Sequence, residues 1–237
     1  MSPRRERGSV VLLSGGMDSA TVLALASRRS PPVHALTFAY GQRHARELRS
    51  ARRLAHRFGV AAHQVVRLPL GALVRSSLTQ ARTPLPQRPA RSGTIPSTYV
   101  PARNTILLAI ALGYAESHGL GTVYFGANAV DYSGYPDCRP EFVRAFNALA
   151  RRAVRSPQEG GRRIRVVAPL LRLSKAEIVR LGERLGVPWE LTWSCYAGRQ
   201  APCGRCDSCR LRARGFRVAG VRDPTVRVAR SASSPVR

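Results

Sequence analysis

The sequence predicts an α/β fold, a parallel five-stranded sheet wound with helices on both faces and followed by a small helical C-terminal region. Three observations lead there: apolar runs of strand length alternate with helical patterns, a glycine-serine loop follows the first run directly, and four cysteines cluster near the C-terminus.

The first strand is expected over Val10–Leu13, a short apolar run suited to burial on both faces. Met17–Arg28 follows with helical spacing, placing Val22, Leu23 and Ala26 on one side. Further strands are expected over Val33–Ala39, Gln64–Leu68, Val123–Ala127 and Ile164–Val167, and further helices over Arg43–Phe58, Asn104–His118, Glu141–Val154 and Lys175–Leu185. This order is that of a Rossmann-like doubly wound sheet, in which ligands gather beyond the carboxyl ends of the strands. The loop after the first strand, Tyr40-Gly41-Gln42-Arg43-His44 and Gly126-Ala127-Asn128 would all lie there. Ala81–Ser97, rich in Pro, Arg and Thr, reads as a mobile loop or lid.

Ser14-Gly15-Gly16-Met17-Asp18-Ser19 joins the first strand to the first helix. Adjacent glycines let the backbone approach a ligand and turn N–H groups towards it, and the helix start adds partial positive charge. The loop has no lysine and no distant second glycine, so it is not the common G-x-x-x-x-G-K-[ST] cradle. Hydroxyls from Ser14 and Ser19, with Asp18 beside them to meet a magnesium ion, suit the pyrophosphate tail of a nucleotide. Such a grip leaves the α-phosphorus open to an acyl oxygen, and the chemistry that follows is adenylation and capture by an amine. The competing reading is an ordinary strand-to-helix turn with a polar cap.

Cys195, Cys203, Cys206 and Cys209 have the spacing C-x7-C-x2-C-x2-C. Two overlapping C-x2-C pairs with a more distant fourth thiolate suit one structural Zn²⁺, fully coordinated and without an open position for water. Disulfides are the alternative, disfavoured because nothing resembling a secretory segment begins the chain. Arg199, Arg205, Arg210, Arg212 and Arg214 would offset the thiolate charge. Cys138 stands apart and reads as a small buried side chain.

At 237 residues and 44% hydrophobic content the chain can bury one sizeable core and an appendage. No apolar run is long enough to cross a bilayer, and a cytoplasmic address is expected. The net charge of +26 suggests nucleic acid, yet Lys175 is the sole lysine among 39 basic residues, a bias closer to a coding preference than to a designed stripe. No stable nucleic-acid partner is expected.

Tyr99-Val100-Pro101-Ala102-Arg103-Asn104 reads either as a ligand site or as an extended lead-in to a helix capped by Asn104. Asp131–Arg139 packs acids, phenols and a guanidinium into nine positions.

In order and spacing, S-G-G-M-D-S, Y-G-Q-R-H, Y-V-P-A-R-N, D-Y-S-G-Y-P-D-C-R, S-K-A-E-I and T-W-S-C-Y followed by C-G-R-C-D-S-C resemble the 7-cyano-7-deazaguanine synthase family (QueC) of the PP-loop ATP pyrophosphatases. The resemblance implies an ATP-dependent ligase that converts 7-carboxy-7-deazaguanine and ammonia to the nitrile through adenylated intermediates, with ATP, Mg²⁺ and one structural Zn²⁺. It implies ATP contacts from Ser14, Gly15, Gly16, Asp18 and Ser19, with the flanking span Leu13, Met17, Ala20, Thr21, Val22 and Leu23 lining that site. Tyr135, Asp137 and Arg139 would face the deazaguanine, and Asp137 would accept from its guanidine-like edge. Asp18, Arg103 and Lys175 are the catalytic candidates, the two cations neutralising the α-phosphate. His44 joins them only through its motif, and the other histidines are left as structural. The chain divides accordingly into a basic tail (1–8), a PP-loop nucleotide-binding domain (9–170), a helical zinc-binding region (171–225) and a flexible tail (226–237), with room for a homodimer. A PP-loop enzyme modifying tRNA, a relative that joins the activated acid to a macromolecular amine, and a non-catalytic zinc module remain as alternatives.

Overall fold

A computed structural model describes residues 8–42, 46–80, 82–84, 86, 94–128, 134–155, 157–198 and 200–226. Arg43, His44 and Asp131–Ser133, with most of the expected lid, lie outside the described residues.

Five strands form one sheet: β1 (Ser9–Leu12), β2 (Val33–Ala39), β3 (Ala62–Arg67), β4 (Thr122–Tyr124) and β5 (Arg165–Val167). Their order is β3-β2-β1-β4-β5, and every pairing is parallel. All five expected strands are present, with bounds shifted by a few residues. β1 is central and wholly buried because it pairs on both edges, Val11 standing opposite Ala35 on one side and Tyr124 on the other.

Successive side chains of a strand face opposite ways, and β1 feeds two cores. Val10 and Leu12 join Leu36, Phe38, Val123 and Val166 on one face. There they meet helices α4 (Arg103–Ser117) and α5 (Pro140–Ala153) through Leu107, Leu108, Ala111, Phe146 and Ala150. Val11 and Leu13 join Ala35 and Tyr124 on the other face. That face packs against α1 (Met17–Arg29), α2 (Arg46–Arg57), α6 (Lys175–Leu185) and α7 (Asp207–Ala219). α3 (Leu70–Leu73) is a single short turn after β3 that the sequence reading did not anticipate.

The C-terminal helices lie directly on the nucleotide-loop helix. At Gly182 of α6 an added Cβ would strike the Trp189 ring and come within 3.2 Å of Thr21 Oγ1 of α1. α6 begins at a capping box: Ser174 Oγ accepts from Glu177 N, and the Glu177 carboxylate accepts from Ser174 N at 2.7 Å. It ends at Gly186, whose φ of +73° only glycine adopts freely. The cap places Lys175 in the first turn, at the sheet's carboxyl edge. Because the order reverses between β1 and β4, the crevice outside their carboxyl ends is open to a ligand.

Candidate functional site

That crevice holds a cavity of about 260 Å³. Its floor is the loop after β1. Gly15 has φ +86°, and a Cβ there would collide with backbone of α2, 2.8 Å from Ala51 N, so only glycine lets the loop rest on that helix. Ser19 Oγ donates to Gly16 O at 3.1 Å and lies 3.1 Å from Ser14 Oγ, which accepts weakly from Gly16 N at 3.4 Å. The two serines thus brace the turn and border the cavity.

Asp18 meets Lys175 across 157 residues of chain: Nζ donates to Oδ2 at 2.6 Å, and Asn128 Nδ2 reaches the same oxygen at 3.4 Å. Oδ1 is buried and accepts from no described residue. A buried anionic oxygen without a donor is costly, and a divalent cation beside phosphate-facing amides supplies what it lacks. The residues present therefore fit Mg²⁺ and a nucleotide tail. Of the span 13–23, Leu13, Ser14, Gly16, Met17, Asp18 and Ser19 line the cavity, whereas Ala20, Thr21, Val22 and Leu23 lie in the buried body of α1.

The opposite wall comes from distant segments. Arg103 Nη1 donates to Tyr40 OH at 3.2 Å, and the guanidinium stands 5.7 Å from that ring's centroid. Gln42 shapes the turn after β2, accepting from Tyr40 N at 2.7 Å and donating to Phe38 O at 3.0 Å. Glu47 of α2 faces the same space, and burial pushes its carboxyl up to about 7. Burial likewise pushes up the Tyr40 phenol.

The expected trio on the acyl side is split. Tyr135 lines the cavity, its hydroxyl 2.9 Å from Thr98 Oγ1 and its ring stacked 5.9 Å from Tyr99. Asp137 is buried behind it, where Oδ2 accepts from Asn104 N at 2.9 Å and satisfies an open donor of α4's first turn. Arg139 is the cap of α5 and exposed. Neither borders the cavity. Asn104 is not the helix cap: Ala102 holds that position in the left-handed region at φ 53°, a conformation that costs a non-glycine residue and turns Arg103 inward. Asn104 instead donates through Nδ2 to Cys138 Sγ at 3.1 Å, so Cys138 is a buried part of the cavity wall. His34, His56, His63 and His118 all lie away from that wall.

Sequence reading placed the Tyr40 segment at this edge without giving Tyr40 a role, and it missed Glu47, Trp193, Ser194 and Arg212 as cavity groups. Tyr40, Trp193 and Ser194 fall inside quoted motifs, but nothing local marks Glu47 or Arg212. Arg212 is buried, with Nε 2.7 Å from Asp223 Oδ2 and Nη1 donating to Thr192 Oγ1 at 2.7 Å and Ser194 Oγ at 3.3 Å. A buried ion pair this well satisfied fixes the segment ahead of the first cysteine.

The Sγ atoms of Cys195, Cys203, Cys206 and Cys209 lie within 4.8 Å of one another, the Cys203–Cys209 pair at 4.0 Å. A tetrahedral ion with Zn–S bonds of about 2.3 Å needs sulfurs about 3.8 Å apart, so the cage is of the right size. Cys203 N and Ala197 N donate to Cys195 Sγ at 3.3 and 3.4 Å, and Cys206 N to Cys203 Sγ at 3.4 Å. Hydrogen bonds from Cys206 and Cys209 hold the Cys195 thiol down, and the bonds to Cys195 push the Cys206 and Cys209 thiols up. Four sulfurs so close cannot all ionise without a cation among them, and a thiophilic dication meets that need.

The model of the family described as queuosine biosynthesis protein QueC matches residues 8–220. The chain belongs to that family. A relative named 7-cyano-7-deazaguanine synthase from Methylococcus capsulatus is 53% identical over 219 residues, covering 92% of this chain and 97% of the relative. One of the same name from Xanthomonas campestris pv. campestris is 57% identical over 220 residues, 92% and 96% of the two chains. In fold the chain is similar to NMN synthetase from Francisella tularensis (TM-score 0.51, 18% identity, 92% of this chain and 79% of that one). It is also similar to a 4-thiouridine synthetase solved with RNA and bound ATP (TM-score 0.50, 20% identity, 89% and 53%). QueC membership agrees with the resemblance drawn from the motifs, and both structural likenesses agree with the expected α/β fold. Among the described residues, no helix is long and apolar enough to cross a membrane.

Proposed function

We propose that this chain is a 7-cyano-7-deazaguanine synthase, activating 7-carboxy-7-deazaguanine with ATP and capturing the activated acyl group with ammonia on the way to the nitrile. The reading is carried by more than 50% identity with relatives of that name over almost the full length of both chains. The site chemistry supports it.

Backbone N–H groups of the Ser14–Ser19 turn, with the Ser14 and Ser19 hydroxyls, hold the two outer phosphates, and the Asp18 carboxylate would hold Mg²⁺, which when bound would supply charge neutralisation to the departing pyrophosphate. Lys175, held 2.6 Å from Asp18, and Arg103, presented from the facing wall, meet the charge that builds at the α-phosphate. Tyr135 bounds the space left for the planar base. Asp137 acts one layer back, fixing the first turn of α4 and hence Arg103. The four cysteines bind one structural Zn²⁺ and take no part in the bond changes.

Incubation with 7-carboxy-7-deazaguanine, ATP, Mg²⁺ and ammonium, followed by mass analysis, should yield AMP, pyrophosphate, the amide and the nitrile. Orthophosphate without AMP would overturn the reading.

A further inference from the structure

The cysteine cluster and the nucleotide loop are joined by one short segment, residues 192–195. Trp193 N donates to Gly15 O at 2.8 Å, and Trp193 Nε1 donates to Cys195 O at 2.8 Å, so one residue holds the loop with its backbone and the first cysteine with its ring. The ring is buried and covered by the Arg46 guanidinium, 4.8 Å from its centroid, at the start of the helix on which the loop rests. A Cβ at Gly16 would stand 3.6 Å from Trp193 O. The loop is therefore clamped between α2 backbone on one side and Trp193 on the other. Ahead of Trp193, Arg212 fixes Thr192 and Ser194.

We infer that Trp193 is a positioning residue for nucleotide binding, through which closure of the four-cysteine site sets the Gly15–Gly16 turn in its phosphate-binding form. The peptide plane at Gly15 is set by the bond its carbonyl accepts from Trp193 N. The N–H of Gly16, which reaches weakly to Ser14 Oγ at the cavity edge, belongs to that same peptide unit, so rotation of the plane moves this donor and the serine it meets. When the cysteine cage is closed, Cys195 O is held and the indole N–H keeps Trp193 in register. When the cage opens, nothing ties the four sulfurs together and Cys195 is released, removing the outer anchor of the clamp. Coupling between the two sites is reciprocal, so bound nucleotide should also slow loss of the metal. The inference rests on the nucleotide reading of the loop.

The test compares metal-loaded wild type, metal-loaded Trp193→Phe, and both proteins after chelation, with ATP affinity read by calorimetry. Stripping wild type is expected to weaken ATP binding about tenfold, within the usual range for coupled sites. Trp193→Phe, which loses the indole donor but keeps the backbone N–H, is expected to show the same weakening while still loaded, and stripping it should add little. Indole fluorescence should move to longer wavelength on stripping wild type and stay unchanged in the variant, where only Trp189 emits. Additive losses, or unaltered ATP affinity in the loaded variant, would overturn the coupling. Loss of helical circular dichroism together with ATP binding on stripping would assign the cluster to global stability and also overturn it. Absence of ATP binding by loaded wild type would instead refute the nucleotide reading.

Discussion

The two walls of the cavity are built on different plans. The floor, proposed to hold phosphate, is the run Ser14–Ser19, of which all but Gly15 line the cavity, and its shape follows from a strand ending, a helix starting and two glycines between them. The facing wall draws Tyr40, Glu47, Arg103, Tyr135 and Cys138 from four separate segments that meet only because the strand order reverses between β1 and β4. Anion binding needs only backbone and charge, which neighbouring residues supply. Recognition of an organic acid needs side chains aimed inward from several directions, which no short stretch can provide.

The sharpest way to break this comparison is at the ion pair that ties the floor to a distant helix, Asp18–Lys175. Asp18→Asn keeps the side-chain volume but removes the anionic oxygen and the charge partner of Lys175. We expect AMP formation to fall by about 10²–10³, the scale of losing one preorganised electrostatic group, with the fold retained by circular dichroism. A loss under fivefold would show that the loop holds phosphate without its acid.

Asp137→Ala sharpens the picture of the facing wall. If the carboxylate acts by capping α4, the variant should lose about 0.5–2 kcal/mol of unfolding free energy and raise the apparent KM of ATP and acid substrate together. A rise confined to the acid substrate, with stability unchanged, would return Asp137 to direct contact.

The smallest effect concerns Glu47. Its carboxyl is raised by burial from 4.5 to about 7, so protonation is favoured in the folded chain. The associated stability is fully present below pH 4.5 and declines as pH rises through 7. Glu47→Gln stays neutral throughout. Its urea midpoint should therefore gain on that of wild type between those pH values, and equal midpoints at both ends would place Glu47 in a more polar setting than its burial implies.

Apolar runs and helical spacing were enough to read all five strands and five of the helices that cover them, because those elements carry their own burial patterns, whereas the helix Asp207–Ala219 was read only as part of a helical C-terminal region. The glycine-serine loop and the cysteine spacing were equally legible, since their chemistry lies within a few residues. Arg139 and Asp137 show where such reading fails. Both stand beside Tyr135 in sequence, yet one caps a helix at the surface and the other serves α4 from behind the wall. Adjacency along the chain carries no information about which side chain a turn points inward.

What the sequence determined by itself was the sheet, the glycine-serine turn between its first strand and helix, and a cysteine set able to hold a metal, all of them properties of local pattern. Only the tertiary structure decided that Lys175 would meet Asp18, that Glu47 and Arg103 would line one cavity, and that Trp193 would join the cysteine cage to Gly15. Those pairings depend on which segments the crossover connections bring to the carboxyl edge of the sheet, a quantity fixed by packing of the whole chain and written in no single stretch of it.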